Sequence, residues 1–179
     1  MKEYKIETSY GTIAVTDSEG AGPVLLMIHG NSSCRQVFRN QYAGDIGKAY
    51  RCIAFDLPGH GESSDATDPE KSYWMPGYAD VAIEVMEKLE VLTKHSVLLL
   101  LLAFSALPLA RTDAVTKLMI TGSPPIAANE ESIGQGFLPS EHMGLAGQEV
   151  FTDEDASNYA HSTCGANAPF ELFLLEAVA

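Results

Sequence analysis

The stretch Val24-Leu25-Leu26-Met27-Ile28-His29-Gly30-Asn31-Ser32-Ser33 decides the fold of this chain. Its first five residues are all apolar, a run too short for a buried helix and typical of a strand buried on both faces. The run stops at His29-Gly30, and small polar residues follow. We therefore predict a parallel strand that ends at the carboxyl edge of a sheet, where open α/β sheets bind ligands. The alternative is an ordinary glycine turn without a function.

A second stretch repeats this pattern. The apolar segment Tyr50–Phe55 runs into Asp56-Leu57-Pro58-Gly59-His60-Gly61-Glu62-Ser63, a turn signal with two glycines and a proline. The polar segment Ser64–Tyr73 then predicts a loop, and Tyr78–Leu89 has the helical spacing of an apolar stripe. Because the apolar segments and the helical pattern alternate, we predict right-handed βαβ units in a mostly parallel sheet flanked by helices.

Further elements extend this sheet in both directions. Two short alternating segments around Tyr10-Gly11 predict a hairpin at one edge of the sheet. Leu98–Leu102 and Lys117–Thr121 predict a third and a fourth parallel strand. The unbroken apolar run Val97–Ala110 is shorter than a membrane-spanning helix requires, and we interpret it as a buried strand that leads into a short helix.

The residues after Pro125 have a different character. Scattered glycines and no clear period mark Ile126–Ser140, and Thr152 followed by three acidic residues predicts the start of a helix. Pro169 predicts a further helix over Phe170–Val178. We therefore expect two parts: residues 1–123 form the N-terminal part of an α/β core, and residues 124–179 form a partial helical cap over the sheet edge.

Composition narrows the range of partners. The chain has 179 residues and a formal net charge of −13, with an isoelectric point near 4.6. Nucleic acids and anionic membranes attract clustered Lys and Arg, so neither is an expected partner. The three cysteines lie far apart and form no C-x-x-C pair, so we expect neither a disulfide framework nor a metal site, and no cofactor. These features suit a soluble cytoplasmic protein.

The two turns carry a resemblance to a known family. His29-Gly30-Asn31-Ser32, followed at this spacing by the segment Asp56–Ser63, resembles the α/β-hydrolase fold. The finer resemblance is to the branch that opens N-acyl-homoserine lactones, the quorum-quenching lactonases. It covers nearly the whole chain except about Leu92–Lys117. The residues that carry it are Leu25–Ser33, Asp56–Ser63, Ser72–Asp80, Leu118–Pro125, Gly134–Phe137 and Tyr159–Gly165.

The resemblance implies a site with a serine nucleophile for a small ester or lactone. The family's serine stands on a G-x-S-x-G turn, takes help from a histidine and an acid, and is aided by two backbone N–H groups. Ser105 stands at the nucleophile position, and the alternative is an incidental serine in an apolar run. Asn31 matches the first oxyanion-hole position, and the alternative is a turn residue. Tyr159 matches a substrate-binding position of the cap, or packs its ring on the sheet.

The chain departs from the family pattern in two places. The turn around Ser105 reads Ala103-Phe104-Ser105-Ala106-Leu107, without either glycine that lets strand and helix approach closely. The family's acid and histidine follow later strands, and this chain stops at Ala179, so we expect a truncated fold without them. His29 and His60 belong to turn motifs, and no residue pattern directs the other three histidines towards Ser105.

Two functions from different classes therefore stay open. The first is a serine hydrolase of esters or lactones in the lineage of the N-acyl-homoserine lactonases. The second is a catalytically inactive relic, or a misread gene model in which Leu92–Lys117 comes from a wrong frame, that serves at most as a binding module. A sheet that ends early leaves an open strand edge, so self-association is also expected.

Overall fold

The computed structural model describes residues 1–92, 97–101, 113–121, 131, 134–135, 142, 144–145, 148, 150 and 152–163; for 97–101 and 163 it describes the backbone. The chain divides into two compact units, Met1–Thr121 and Gly122–Ala179. The expected turn around Ser105 and the helix Phe170–Val178 lie outside the described residues.

One sheet is the centre of the first unit. Among the described residues it has six strands in the order β1-β2-β4-β3-β5-β6. The strands are β1 (Lys2–Thr8), β2 (Gly11–Asp17), β3 (Val24–Ile28), β4 (Arg51–Phe55), β5 (Val97–Leu101) and β6 (Val115–Ile120). The hairpin of β1 and β2 is antiparallel, and β2 pairs antiparallel with β4, whereas β4, β3, β5 and β6 run parallel to one another. The predicted hairpin and the mostly parallel sheet are confirmed.

The register aligns the carboxyl ends of the four parallel strands. Ile28 pairs with Phe55 on one side and with Leu101 on the other, and Leu101 pairs with Ile120. The turns that follow β3 and β4 therefore leave the sheet side by side at the same edge. This confirms that His29-Gly30-Asn31 and Asp56–Gly61 lie at one edge, where ligands bind to open α/β sheets.

Helices connect the parallel strands. A 3₁₀ turn (Arg35–Phe38), α1 (Arg39–Ala43) and α2 (Asp45–Ala49) lead from β3 to β4, and α3 (Pro69–Ser72) and α4 (Met75–Lys88) follow β4. The prediction of a loop over Ser64–Tyr73 was wrong for its second half. Asp68 caps α3 by accepting a hydrogen bond from the Lys71 N–H at 3.3 Å, and Pro69 stands at the first helical position.

The core lies on both faces of the sheet. On one face α4 buries Ala79, Val81, Ala82, Val85 and Met86 against the strands, which confirms the helical stripe predicted over Tyr78–Leu89. On the other face Phe38 and Tyr42 pack on Met27, Cys52 and Ala54. Apolar burial on both faces explains why β3 and β4 have no polar alternation.

The second unit contains a helix, α5 (Asp153–Thr163), among its described residues. The Thr152 hydroxyl accepts a hydrogen bond from the Asp155 N–H at 3.1 Å and donates one to the Asp155 carboxylate at 2.7 Å, and that carboxylate also accepts from the Thr152 N–H at 3.1 Å. This reciprocal capping confirms the helix start predicted at Thr152. Within the described part of the chain, no helix is both long and apolar enough to cross a membrane.

Candidate active site

Two turns at the carboxyl edge of the sheet build the candidate site. The first, His29–Cys34, follows Ile28, and the second, Asp56–Ser63, follows Phe55. The second turn is fixed to the sheet by Ser63, whose hydroxyl donates to the Asp56 carbonyl at 2.7 Å and accepts from the Ala14 N–H at 2.9 Å. Two sets of contacts, one around His29 and one around Arg35, hold the turns together.

His29 connects the two turns through both nitrogens of its ring. Its Nε2 accepts a hydrogen bond from the Leu57 N–H at 3.0 Å, so Nδ1 carries the proton and donates to the Gly30 carbonyl at 2.7 Å. The side chain is fully buried, and burial lowers the pKa of His29 from 6.5 to about 4. A neutral ring with both nitrogens occupied is a structural element, which agrees with its predicted place in a turn motif, and it does not supply a general base.

A buried ion pair joins the same two turns. The Arg35 guanidinium donates to the Asp56 carboxylate, and the Arg35 backbone N–H donates to the other oxygen of that carboxylate at 2.6 Å. Arg35 is 5% exposed and Asp56 is fully buried. The Glu62 N–H, from the far end of the second turn, donates to Asp56 at 2.9 Å. The Asp56 carboxylate is therefore the point on which both turns converge.

The remaining N–H groups of the Arg35 guanidinium donate to further partners. Arg35 donates to Glu62 at 2.8 Å, to Glu3 at 3.2 Å and to the Thr16 hydroxyl at 3.1 Å. The hydrogen bond and the charge of Arg35 lower the pKa of Glu62. Because a guanidinium presents five donors in a fixed fork, one arginine orients groups from the edge hairpin and from both turns.

Arg35 is not among the residues that the sequence singles out. Its signal is indirect: Asp56 directly follows a strand predicted to be buried, and a buried carboxylate requires a cation or several donors. Arg35 is the cation that follows the first turn in the sequence. The pairing of the two residues depends on the register between β3 and β4, which no local pattern specifies.

Gly61 is a position where only glycine fits the second turn. Its φ is +52°, and a Cβ there would lie 2.5 Å from the Asp56 carboxylate. We expect Gly61→Ala to lower the free energy of unfolding by about 1–3 kcal/mol, because it strains the backbone and pushes Asp56 away from Arg35. Urea unfolding measures the change. Gly144→Ala is the matched control, since its Cβ would meet no atom of the described residues within 4 Å, and an equal loss in both variants would contradict the explanation.

Asn31 lies exposed at the tip of the first turn, where the resemblance predicts an oxyanion-hole residue. Its side-chain amide donates to the Ser32 hydroxyl at 3.1 Å, and Ser32 has a φ of +51°. A non-glycine residue with positive φ is uncommon and often marks a functional turn. The structure therefore presents Asn31 at the carboxyl edge of the sheet, on a turn that the buried His29 connects to the second turn.

The other two predicted site residues are Ser105 and Tyr159. Ser105 lies outside the described residues. Tyr159 lies in α5 of the second unit, half-buried, and its carbonyl accepts a hydrogen bond from the Ser162 hydroxyl at 2.7 Å. Among the residues that the structure describes, no group of three or more His, Cys, Asp or Glu side chains is arranged to hold a metal ion.

Comparison with known proteins agrees with this architecture. A family model described as "alpha/beta hydrolase fold" matches residues 23–144, more than half of the chain. An epoxide hydrolase from Caballeronia sordidicola is 38% identical over 68 residues, which are 38% of this chain and 20% of that protein. A hydrolase from Pseudomonas aeruginosa PA01 shares the fold at 15% identity, with a TM-score of 0.72 over 99% of this chain and 66% of the other.

Crystal structures of the N-acyl homoserine lactonase AidH are more similar. One is a complex with N-butanoyl homoserine and another is a mutant in complex with N-hexanoyl homoserine. Both are 47% identical to this chain with a TM-score of 0.87 and cover 99% of it. This chain spans 63% and 64% of the lengths of those two proteins.

Proposed function

The chain belongs to the α/β-hydrolase fold family, and from this premise we propose that its lineage hydrolyses carboxylic esters or lactones of the N-acyl-homoserine lactone type. The observation that carries the proposal is the shared edge. The turn with Asn31 leaves the sheet directly beside the carboxyl end of β5, because Ile28 pairs with Leu101. Ser105 follows Leu101 by four positions in the sequence. The 47% identity with a lactonase supports the choice of substrate.

The roles proposed for Ser105, Asn31 and Tyr159 follow from the position of the Asn31 turn beside the carboxyl end of β5 and from the resemblance to the family. In the chemistry of the lineage, Ser105 is the nucleophile that attacks the carbonyl carbon while the histidine of the family takes its proton, and the Asn31 backbone N–H donates to the oxyanion that forms on the carbonyl oxygen. The bond from the carbonyl carbon to the alcohol oxygen then breaks, and that oxygen leaves with the proton. Residues 124–179 are a partial helical cap, and Tyr159 donates its phenol O–H to a substrate carbonyl. The buried pair of Arg35 and Asp56 keeps the Asn31 turn in place relative to the strand ends.

A second candidate is a binding module without turnover. The glycines that normally flank the nucleophile are replaced, since Ala103 and Leu107 stand at these positions. His29, the nearest histidine to Asn31 in the sequence, has both ring nitrogens occupied within the turns. We therefore expect the 179-residue chain, taken alone, to bind the acyl compound at its edge and not to hydrolyse it through Ser105.

The experiment that tests the lineage chemistry is hydrolysis followed with two substrates. A chromogenic short-chain ester reports carboxylic ester cleavage, and N-hexanoyl homoserine lactone in a pH-stat reports ring opening. A longer protein that contains these 179 residues is expected to cleave at least one of them. Cleavage of neither, by a folded longer protein, would contradict the proposed chemistry.

A further inference from the structure

Three consecutive large apolar residues are exposed beside the second turn. Tyr73 is 41% exposed, Trp74 is 55% exposed and Met75 is 45% exposed. The other exposed large apolar side chains among the described residues of the first unit are Met1, Ile46 on α2, and Leu118, Met119 and Ile120 on β6, the last strand in the order of the described sheet. Contiguous exposed apolar residues are unusual on a protein surface and often mark a site for an apolar ligand.

The topology places these residues at the ligand-binding edge. Because α4 follows β4 and leads back to a parallel strand, its first residue lies towards the carboxyl edge of the sheet. Trp74 is the N-cap residue of α4, and the Tyr73 ring lies against Gly59 of the second turn. A Cβ on Gly59 would lie 2.8 Å from the Tyr73 hydroxyl, so the absence of a side chain at Gly59 is what permits this contact.

Hydrogen bonds hold the two aromatic rings in place while they stay exposed. The Tyr73 hydroxyl accepts from the Ala66 N–H at 3.0 Å. The Trp74 indole N–H donates to the Lys71 carbonyl at 2.8 Å. Each aromatic side chain therefore satisfies its polar atom within the protein and presents its apolar surface to solvent. Such rigid aromatic surfaces lose little conformational entropy when a ligand covers them.

We propose that Tyr73, Trp74 and Met75 form an apolar platform that binds the acyl chain of the substrate. This inference rests on the proposed function, whose substrates join an acyl chain to a polar lactone or ester. The polar carbonyl belongs at the Asn31 turn, and the acyl chain extends past the second turn, where His60 and Gly59 lie, to the platform. The ring centroids of His29 and His60 are 5.2 Å apart, so the first and second turns are neighbours.

The platform is expected to select acyl chains by length. Full burial of two methylene groups strengthens binding about fifteenfold, at about 0.8 kcal/mol for each group. An open platform covers about half of that surface, so we expect hexanoyl compounds to bind about fourfold more tightly than butanoyl compounds. Trp74 is the single tryptophan of the chain, and its fluorescence therefore reports on the platform directly and independently of hydrolysis.

The test is a titration of the 179-residue chain with two series of probes. The first series is N-butanoyl and N-hexanoyl homoserine, the ring-opened compounds, and the second is N-methylbutanamide and N-methylhexanamide, which lack the homoserine group. A change in Trp74 emission with a fourfold preference for the longer chain is expected in both. Binding of the amides alone with this preference would support the platform and contradict the proposed substrate. Homoserine compounds that bind equally well at both lengths, or no binding in either series, would overturn the platform.

Variants assign the preference to the platform. Calorimetric titration of Trp74→Ala is expected to show the butanoyl affinity retained and the fourfold preference lost, whereas Trp74→Phe retains most of the preference. Ile46→Ala removes an exposed apolar side chain from α2 and is the matched control, with the preference unchanged. Circular dichroism verifies that each variant is folded. A preference that survives in folded Trp74→Ala would overturn the inference.

Discussion

Replacement of Arg35 by alanine is expected to lower the free energy of unfolding by about 3–5 kcal/mol. The substitution leaves the Asp56 carboxylate fully buried, and the donors that remain to it among the described residues are the backbone N–H groups of Arg35 and Glu62. Removal of one partner of a buried ion pair costs this much because the other charge stays in a medium that solvates it poorly. The cost is expected in urea or thermal unfolding near neutral pH.

Two further substitutions test whether the loss of stability comes from the buried ion pair or from the removal of a positive charge in general. Lys48→Ala breaks the pair of Lys48 with Asp45, in which both side chains are largely exposed, and it is expected to leave stability unchanged within error. Arg35→Lys keeps the charge but loses the fork that reaches Asp56 and Glu62 together, so an intermediate loss is expected. A loss for Arg35→Ala no larger than that for Lys48→Ala would show that the turns are held by other contacts.

Acidification from about pH 7.5 to about pH 5 is expected to cost about 2 kcal/mol of stability through His29. Its pKa is about 4 in the folded chain and about 6.5 when unfolded. The unfolded chain therefore binds the proton more readily, and the contribution is complete above pH 6.5 and is lost as the pH falls towards 4. Protonation also removes the acceptor for the Leu57 N–H, which connects the two turns.

The measured quantity is the slope of the free energy of unfolding against pH. This slope does not depend on how much a substitution lowers the free energy of unfolding at neutral pH. His29→Gln cannot titrate, so its slope between about pH 7.5 and about pH 5 is expected to be flatter than that of the natural chain. His60→Gln alters the neighbouring ring and is expected to retain the slope. If His29→Gln retained it and His60→Gln lost it, the assignment of the titrating group to His29 would be wrong.

The carboxyl edge could be predicted from the sequence because each of its parts is local. A short apolar run predicts a buried strand, and the glycines after Ile28 and Phe55 predict turns at its end. Because parallel strands end at the same edge of a sheet, both turns can be placed at that edge before any contact between them is known. The start of α5 could be predicted because its signal is also local: Thr152 is followed directly by three acidic residues.

The contacts that hold the edge together could not be predicted in this way. Arg35 and Asp56 are 21 residues apart, and their meeting depends on the pairing of β3 with β4. The helix α3 contradicts the loop predicted from the polar composition of Ser64–Tyr73, although Asp68-Pro69 is a helix-start signal. The platform at Trp74 was not recognised either, since exposure is a property of packing and not of composition. Ser105 stays a prediction from the resemblance.

The central claim is that the 179-residue chain binds acyl compounds without hydrolysis through Ser105. Its most direct test compares hydrolysis by this chain and by its Ser105→Ala variant. The substrates are the chromogenic ester and N-hexanoyl homoserine lactone. We expect both proteins to bind the acyl compounds and to hydrolyse them at the same rate, near background, because Ala103 and Leu107 replace the glycines that normally flank the nucleophile and both ring nitrogens of His29 are occupied within the turns. A complete serine triad exceeds the roughly 10³–10⁴-fold residual acceleration that remains without it. Fast turnover that disappears in Ser105→Ala would contradict this claim and identify the chain as an active serine hydrolase.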